Sequence, residues 1–266
     1  MFSIRELKDF ENKVTIFLSL DQSTIQLTAD GDYVRVSNSG TSKSLRLGDL
    51  YDVARDSLKK ILKDGTINVE TVELSRTELE PPPEIQRIRC NAFTATFMDS
   101  EVTKKWLKLV EGPLETLSIT TEVDKIRGIA QWDQVKKVGK ELVVVACDIR
   151  DSELENLAAV SFALDSENIT ENGVRILLKK FLLTYSPGNA FQIRFKPSAG
   201  FCRSDLFKDL EDVQVSWNQG FRFELKSMDI ASRRSTGLSI ELDGFYFISG
   251  DYHLIKVLAP EGWRPS

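Results

Sequence analysis

The sequence predicts an α/β fold, an irregular strand–helix solenoid opened by a β-hairpin and closed by a β-rich cap. Three observations carry that expectation. A short apolar grammar recurs, the intervals between its copies alternate between helix-sized and too short for a helix, and the C-terminal stretch is rich in period-two alternation. The fullest copies are Val69-Glu70-Thr71-Val72-Glu73-Leu74 and Leu114-Glu115-Thr116-Leu117-Ser118-Ile119. The looser form, apolar-x-x-apolar-x-apolar, adds Ile85-Ile88-Cys90, Leu157-Val160-Phe162, Ala190-Ile193-Phe195 and Leu210-Val213-Val215, with Val144-Ala146 as a degraded copy that starts at Glu141. A first apolar position followed by a period-two pair is what a short strand gives when one face is buried. Strands of an ordinary α/β domain without true repeats would carry the same pattern.

The elements follow in order. Residues 1–12 read as the end of a helix, with Ile4, Leu7 and Phe10 on one face. Val14-Thr15-Ile16-Phe17-Leu18 reads as a strand, and residues 24–28 and 33–36 as a hairpin around Asp30-Gly31, followed by a polar loop from Asn38 to Ser44. Leu50, Val53, Ala54, Leu58, Ile61 and Leu62 fall at helical spacing, with Asp49 as N-cap and Asp64-Gly65 as the stop. Three prolines in Glu80-Pro81-Pro82-Pro83-Glu84 forbid helix and ladder alike and make a stiff spacer. Further helices are expected from Asp99 to Gly112-Pro113, from Glu122 to Val138 with Gly128 as a weak point, and from Thr170 to Pro187-Gly188. Phe221 to Leu225 and Leu238 to Phe247 read as strands of the cap that a solenoid needs over its last core layer.

Composition narrows the function classes. Hydrophobic residues make up 41% of the chain and charged ones 28%, with a mean hydropathy of -0.21, as in ordinary globular chains. No apolar run reaches membrane-spanning length. A net charge of -5 argues against a nucleic-acid partner, which needs a basic face to neutralise phosphates. Cys90, Cys147 and Cys202 are widely separated and read as free buried thiols of a reducing compartment. Neither a phosphate loop nor a zinc-ligand or nucleophile-elbow motif occurs, so no catalytic residue, metal site or cofactor is expected. The single histidine, His253, reads as structural, Glu78, Glu80 and Glu84 as a solvated edge, and Trp106 and Trp132 as packing residues. Two other readings stay in competition: an α/β enzyme of unrecognised type, which a polar pocket with perturbed titratable groups would support, and an RNA-associated scaffold using Arg87, Arg89, Arg194 and Arg222.

In such an array the repeated strands at 69–74, 114–119, 141–146, 157–162 and 191–195 pair in parallel and the helices cover one face. Leu117, Ile119, Val160, Ile193 and Phe195 then belong to the core. The residues between them point outward, giving a candidate protein-binding row of Glu73, Arg89, Ser118, Val143, Val145, Ser161, Arg194 and Gln214. Val143 and Val145 are either an exposed apolar spot at a partner site or core residues of a sheet covered on both faces.

The strand kernel is that of leucine-rich repeats, whose period runs about 20–29 residues. More specifically, the order of parts resembles the FTH domain that follows the F-box in a family of nematode F-box proteins. The resemblance rests on the opening strand and hairpin up to Val36, on Leu114-Glu115-Thr116-Leu117-Ser118-Ile119, on Gln131-Trp132-Asp133-Gln134-Val135-Lys136-Lys137, on the helix start Ile169-Thr170 and on Leu238-Ser239-Ile240-Glu241-Leu242. Asp133 departs from it, since the family usually has Lys after the tryptophan. The resemblance implies a cytoplasmic or nuclear substrate receptor of an SCF-type ubiquitin ligase, in which this domain holds a client protein. Residues 1–13 read as the tail of a possible F-box helix and 14–266 as one FTH-like domain; a Skp-type adaptor would bind only if a complete F-box lies upstream.

Overall fold

The computed structural model describes residues 1–8, 14–21, 23–30, 33–38, 41–46, 49–61, 65–121, 125–184, 190–195, 213–218, 222–228, 235–247 and 250–258. Side chains of residues 181–195 other than Ile193 and Phe195, and of the strands after them, lie outside the description, as do Phe10, Leu62, Asp64, Cys202 and Leu210. The fold is α/β on mixed sheets, and the chain divides into Met1–Asp124 and Lys125–Ser266.

The first unit contains β1 (Phe2–Lys8), β2 (Val14–Leu20), β3 (Ser23–Asp30), β4 (Tyr33–Asn38), β5 (Thr41–Arg46), α1 (Leu50–Ile61), β6 (Thr66–Asn68), β7 (Thr71–Ser75), β8 (Arg87–Arg89), β9 (Ala92–Thr96), α2 (Ser100–Leu107) and β10 (Thr116–Thr120). Its main sheet runs β10-β9-β7-β1-β2-β3-β4-β5. From β10 to β1 the neighbours are parallel, and from β1 to β5 they form an antiparallel meander. The N-terminal segment corrects the expected helix: Phe2, Ile4 and Glu6 alternate inward with period two, so residues 2–8 form a strand. Residues 41–46, which overlap the loop expected from Asn38 to Ser44, form β5. The candidate strand at 85–90 also shifts. Ile85 and Ile88 are buried, but β8 pairs with β6 in a separate two-stranded sheet and bridges Val110, and the main-sheet strand is β9, with Phe93 and Ala95 inward.

One face of this sheet buries Phe2, Ile4, Ile16, Leu18, Val72, Leu74, Phe93, Leu117 and Ile119. Both helices lie on that face. α1 packs on β2 and β3 through buried Ala54 and Leu58, and Asp49 Oδ1 caps it by accepting the Tyr51 N–H at 2.7 Å. α2 begins where expected, with Asp99 Oδ1 accepting the Glu101 and Val102 N–H groups at 2.9 and 3.0 Å. Its Trp106 is fully buried, lies 6.1 Å from the Phe2 ring, and donates its indole N–H to the Leu79 carbonyl at 2.8 Å. The indole therefore fixes α2, β1 and the segment after β7 to one another.

The second unit contains a 3₁₀ turn (Ile129–Gln131), α3 (Asp133–Lys136), β11 (Glu141–Val145), α4 (Asp151–Leu154), β12 (Ser161–Leu164), α5 (Glu171–Thr184), β13 (Ala190–Phe195), β14 (Val213–Asn218), β15 (Arg222–Met228), β16 (Ser235–Phe247) and β17 (Gly250–Leu258). The sheet order is β14-β15-β16-β17-β13-β12-β11, with β11, β12 and β13 parallel and the remaining pairs antiparallel. The helix expected from Glu122 to Val138 is replaced by the 3₁₀ turn and one short α-turn: Gly128 sits at φ 63°, and Trp132 is extended at φ -71°, ψ 129°. In β12, Phe162 and Leu164 point inward and Val160 is only half-buried, so the expected strand at 157–162 starts four residues later. Thr170 opens α5 as expected: Asp151 Oδ1 accepts its N–H at 2.9 Å, and its hydroxyl also bonds the Asp151 carboxylate. Gly173 is required here, because a Cβ would collide with that carboxylate.

Candidate functional site

On the first unit's sheet, the residues between the inward positions form a face that neither of the unit's described helices covers. Alternation turns Thr116, Ser118 and Thr120 of β10, Thr94 and Thr96 of β9, and Thr71, Glu73 and Ser75 of β7 away from the core, where they keep solvent exposure. Register places Ser118 opposite Thr94, Thr94 opposite Glu73, Glu73 opposite Ser3, Ser3 opposite Ser19 and Ser19 opposite Thr24. The Ser19 and Thr24 hydroxyls bond at 3.0 Å. The next rung carries Thr120, Thr96, Ser75, Arg5, Phe17 and Gln26. A groove of about 320 Å³ crosses these rungs over Arg5, Phe17 and Glu73. Of the predicted row, Glu73 and Ser118 therefore share one rung. Arg89 lies on β8 outside this sheet, where its Nε donates to Glu111 Oε2 at 3.0 Å.

In the second unit Val143 and Val145 are half-buried on β11, neither core nor open. Val143 stands opposite Ala163, and Ala163 opposite Arg194. Ser161, also half-buried, stands opposite Glu141 and Gln192, one rung away. Gln214 is on β14, separated from β13 by three strands. The side chains of Arg194 and Gln214, like that of His253, are outside the described set.

A second concavity, of about 670 Å³, opens at the carboxyl ends of β1, β7, β9 and β10. Sequence reasoning missed it. Its walls include Glu6, Lys8, Arg76, Glu78, Phe97 and Asp99. Arg76 and Phe97 each occupy the first position after a parallel strand with positive φ, 52° and 55°, an unusual conformation for a bulky side chain. Backbone bonds hold them there: Arg76 N–H donates to Thr96 O at 2.9 Å, and Phe97 N–H to Thr120 O at 2.6 Å. The Arg76 guanidinium lies 4.9 Å from the centre of the Phe97 ring, a cation–π contact.

Glu6 is the unusual member. It occupies the third inward position of β1 after Phe2 and Ile4, is 3% exposed, and accepts the Tyr51 hydroxyl at 2.9 Å. Burial raises its pKa, with the Tyr51 hydrogen bond opposing. Burial and the Glu6 carboxyl together push the Tyr51 phenol well above its usual range. The signal was present in Phe2-Ser3-Ile4-Arg5-Glu6, a carboxylate at a core-facing position, and it is legible only once that stretch is read as a strand.

Other candidates take structural roles. Glu80 pairs with Lys105 at 2.5 Å and Glu84 with Lys59 at 3.1 Å. No cluster of metal-ligating side chains occurs among the described residues, and no helix among them is long and apolar enough to cross a membrane. Cys90 and Cys147 are buried free thiols, with burial raising their pKa values to about 11 and about 12. Comparison with protein-family models, with characterised proteins and with solved structures yields no match.

Proposed function

We propose that this protein is a protein-interaction module that holds a client protein on the uncovered sheet face of its first unit, and that it is not an enzyme. The observation that carries the reading is the one-sidedness of that sheet: α1 and α2 cover the face bearing Phe2, Leu18 and Phe93, and the rungs through Glu73 and Arg5 stay open. A polar sheet face crossed by a shallow groove, with an aromatic at its centre, suits an extended protein surface better than a small molecule.

We also propose that the strands and helices form an irregular leucine-rich-repeat-like solenoid. The inward pairs Val72/Leu74, Phe93/Ala95, Leu117/Ile119, Leu142/Val144 and Phe162/Leu164 recur roughly every 20–25 residues, inside the span of such repeats. Buried Leu79 and Ile149 each follow their pair where that repeat carries a further leucine, and Arg76, Phe97 and Ala146 repeat the left-handed strand exit. Together with the FTH resemblance, this supports a cytoplasmic or nuclear substrate receptor of an SCF-type ubiquitin ligase, with a Skp-type adaptor engaged if an F-box lies upstream. The RNA-associated reading loses support from Arg87 and Arg89, whose guanidinium groups pair with Glu111 at 3.8 and 3.0 Å.

Affinity capture with the wild-type chain and with Glu73→Arg/Ser118→Arg tests the proposal. One set of proteins retained by the wild type and lost from the variant, at unchanged melting temperature, is the expected result. Identical retention by both removes the sheet face as the site.

A further inference from the structure

The chain reverses its direction of strand addition at β1. The meander β2 to β5 grows from one side of that strand, and β7, β9 and β10 are added on the other. In open sheets with parallel strands, ligands settle in the crevice outside the carboxyl ends at such a switch point. The 670 Å³ cavity lies there, and its size falls within the roughly 300–1,000 Å³ of small-molecule sites.

Glu6 gives the cavity its chemistry. A carboxyl 3% exposed is normally matched by a cation, because a buried charge without a counter-charge is costly. Here its partners are a phenol hydroxyl at 2.9 Å and the Glu78 backbone N–H. Among the described residues no lysine or arginine forms an ion pair with it; Lys8 acts on it only through space, and Arg76 lies over Phe97. The rest of the wall includes the carboxylates of Glu78 and Asp99, the latter capping α2 through Oδ1, the cations Lys8 and Arg76, and the Phe97 ring, 37% exposed and already placed against the Arg76 guanidinium.

We propose that this cavity binds an organic cation, a guanidinium or primary ammonium group, with Glu6 as its counter-charge and the Phe97 ring as a flanking surface. The group arrives either on a free small molecule or as the arginine or lysine side chain of a bound protein. The site stands independently of the client-binding reading, because it is built within the first unit from side chains that do not belong to the open sheet face.

The test is calorimetric titration of the full chain with agmatine, with N-acetyl-arginine amide, with the neutral N-acetyl-glutamine amide, and with acetate. Saturable binding of agmatine, of the arginine amide or of both, with no heat from the neutral and anionic probes, is expected. Tighter agmatine points to a free ligand, and tighter arginine amide to a peptide-borne one. Glu6→Gln keeps an acceptor for the Tyr51 hydroxyl and should weaken binding at least tenfold with its melting transition intact. Glu78→Gln, on an exposed side chain, should weaken it less, and Glu111→Gln on β8's ion pair should leave it unchanged. Absence of saturable binding by both cations, or equal affinity in Glu6→Gln and wild type, overturns the proposal. If Glu6→Gln fails to fold, Glu78→Gln and Phe97→Ala decide: undiminished affinity in both overturns it.

Discussion

Leu117→Ala paired with Ser118→Ala tests the register of β10, on which the assignment of covered and open faces depends. The two residues are adjacent on one strand, and alternation sends them to opposite faces. Leu117 is fully buried on the inward face beside Phe93 of β9, so its truncation loses the transfer free energy of three carbons and leaves a cavity. Core leucine-to-alanine changes cost about 2–5 kcal/mol, and full burial beside Phe93 across the ladder argues for about 3 kcal/mol. For a chain of this size that is a fall in Tm of roughly 6–12 °C. Ser118→Ala removes a half-buried hydroxyl on the open face and should change stability by about 0.5 kcal/mol or less. Urea denaturation followed by circular dichroism reads both. Losses of similar size in the two variants, or a Leu117→Ala loss below about 1 kcal/mol, would refute the register and with it the open face.

Trp106→Phe keeps the ring but abandons the buried Leu79 carbonyl, so a loss of about 1–3 kcal/mol is expected in chemical denaturation. Gly173→Ala, in a helix where alanine ordinarily stabilises, should instead lower Tm because of the Asp151 carboxylate; adding Asp151→Ala should return part of the loss. In a Cys202→Ser background, Cys90 and Cys147 should be almost unreactive toward a disulfide reagent at pH 8 until denaturant is added, because thiols raised to about 11 and about 12 present little thiolate. Glu6 holds its proton more tightly folded than unfolded. Its share of stability is therefore present below the ordinary glutamate value of 4.5 and is lost as pH rises through the raised folded value. Glu6→Gln carries no such loss, so the stability of the variant relative to wild type should increase between pH 4 and pH 7; a difference that is flat or falls with pH would contradict the assignment.

Patterns that report burial were legible in the sequence. The inward pairs at 72/74, 117/119 and 193/195, the Asp49 cap, the helix starts at Asp99 and Thr170 and the parallel pairing of β11, β12 and β13 all follow from apolar period and cap chemistry. The expected pair 144/146 is instead 142/144, with Ala146 half-buried past the strand end. What burial cannot show is which neighbour does the burying. Ile85 and Ile88 are as buried as any main-sheet residue, yet β8 serves a separate ribbon, and the main strand follows at Ala92. Residues 2–8 failed for a different reason: Ile4 and Leu7 suit a helix as well as a strand, and the long-range pairing with β2 and β7 decides. The strand-end cavity was hidden behind that misreading, since its buried carboxyl became visible as an anomaly only when Glu6 joined Phe2 and Ile4 on the inward side.

The client-binding claim is tested most directly by carboxyl footprinting of Glu73. Carbodiimide-coupled labelling of the chain, alone and saturated with a captured partner, is read residue by residue by mass spectrometry. Glu73 should lose most of its labelling in the complex, with Glu111, exposed beside β8 and outside the main sheet, labelled as before. Full labelling of Glu73 in a saturated complex would show that the partner sits elsewhere and that the open sheet face is not its site.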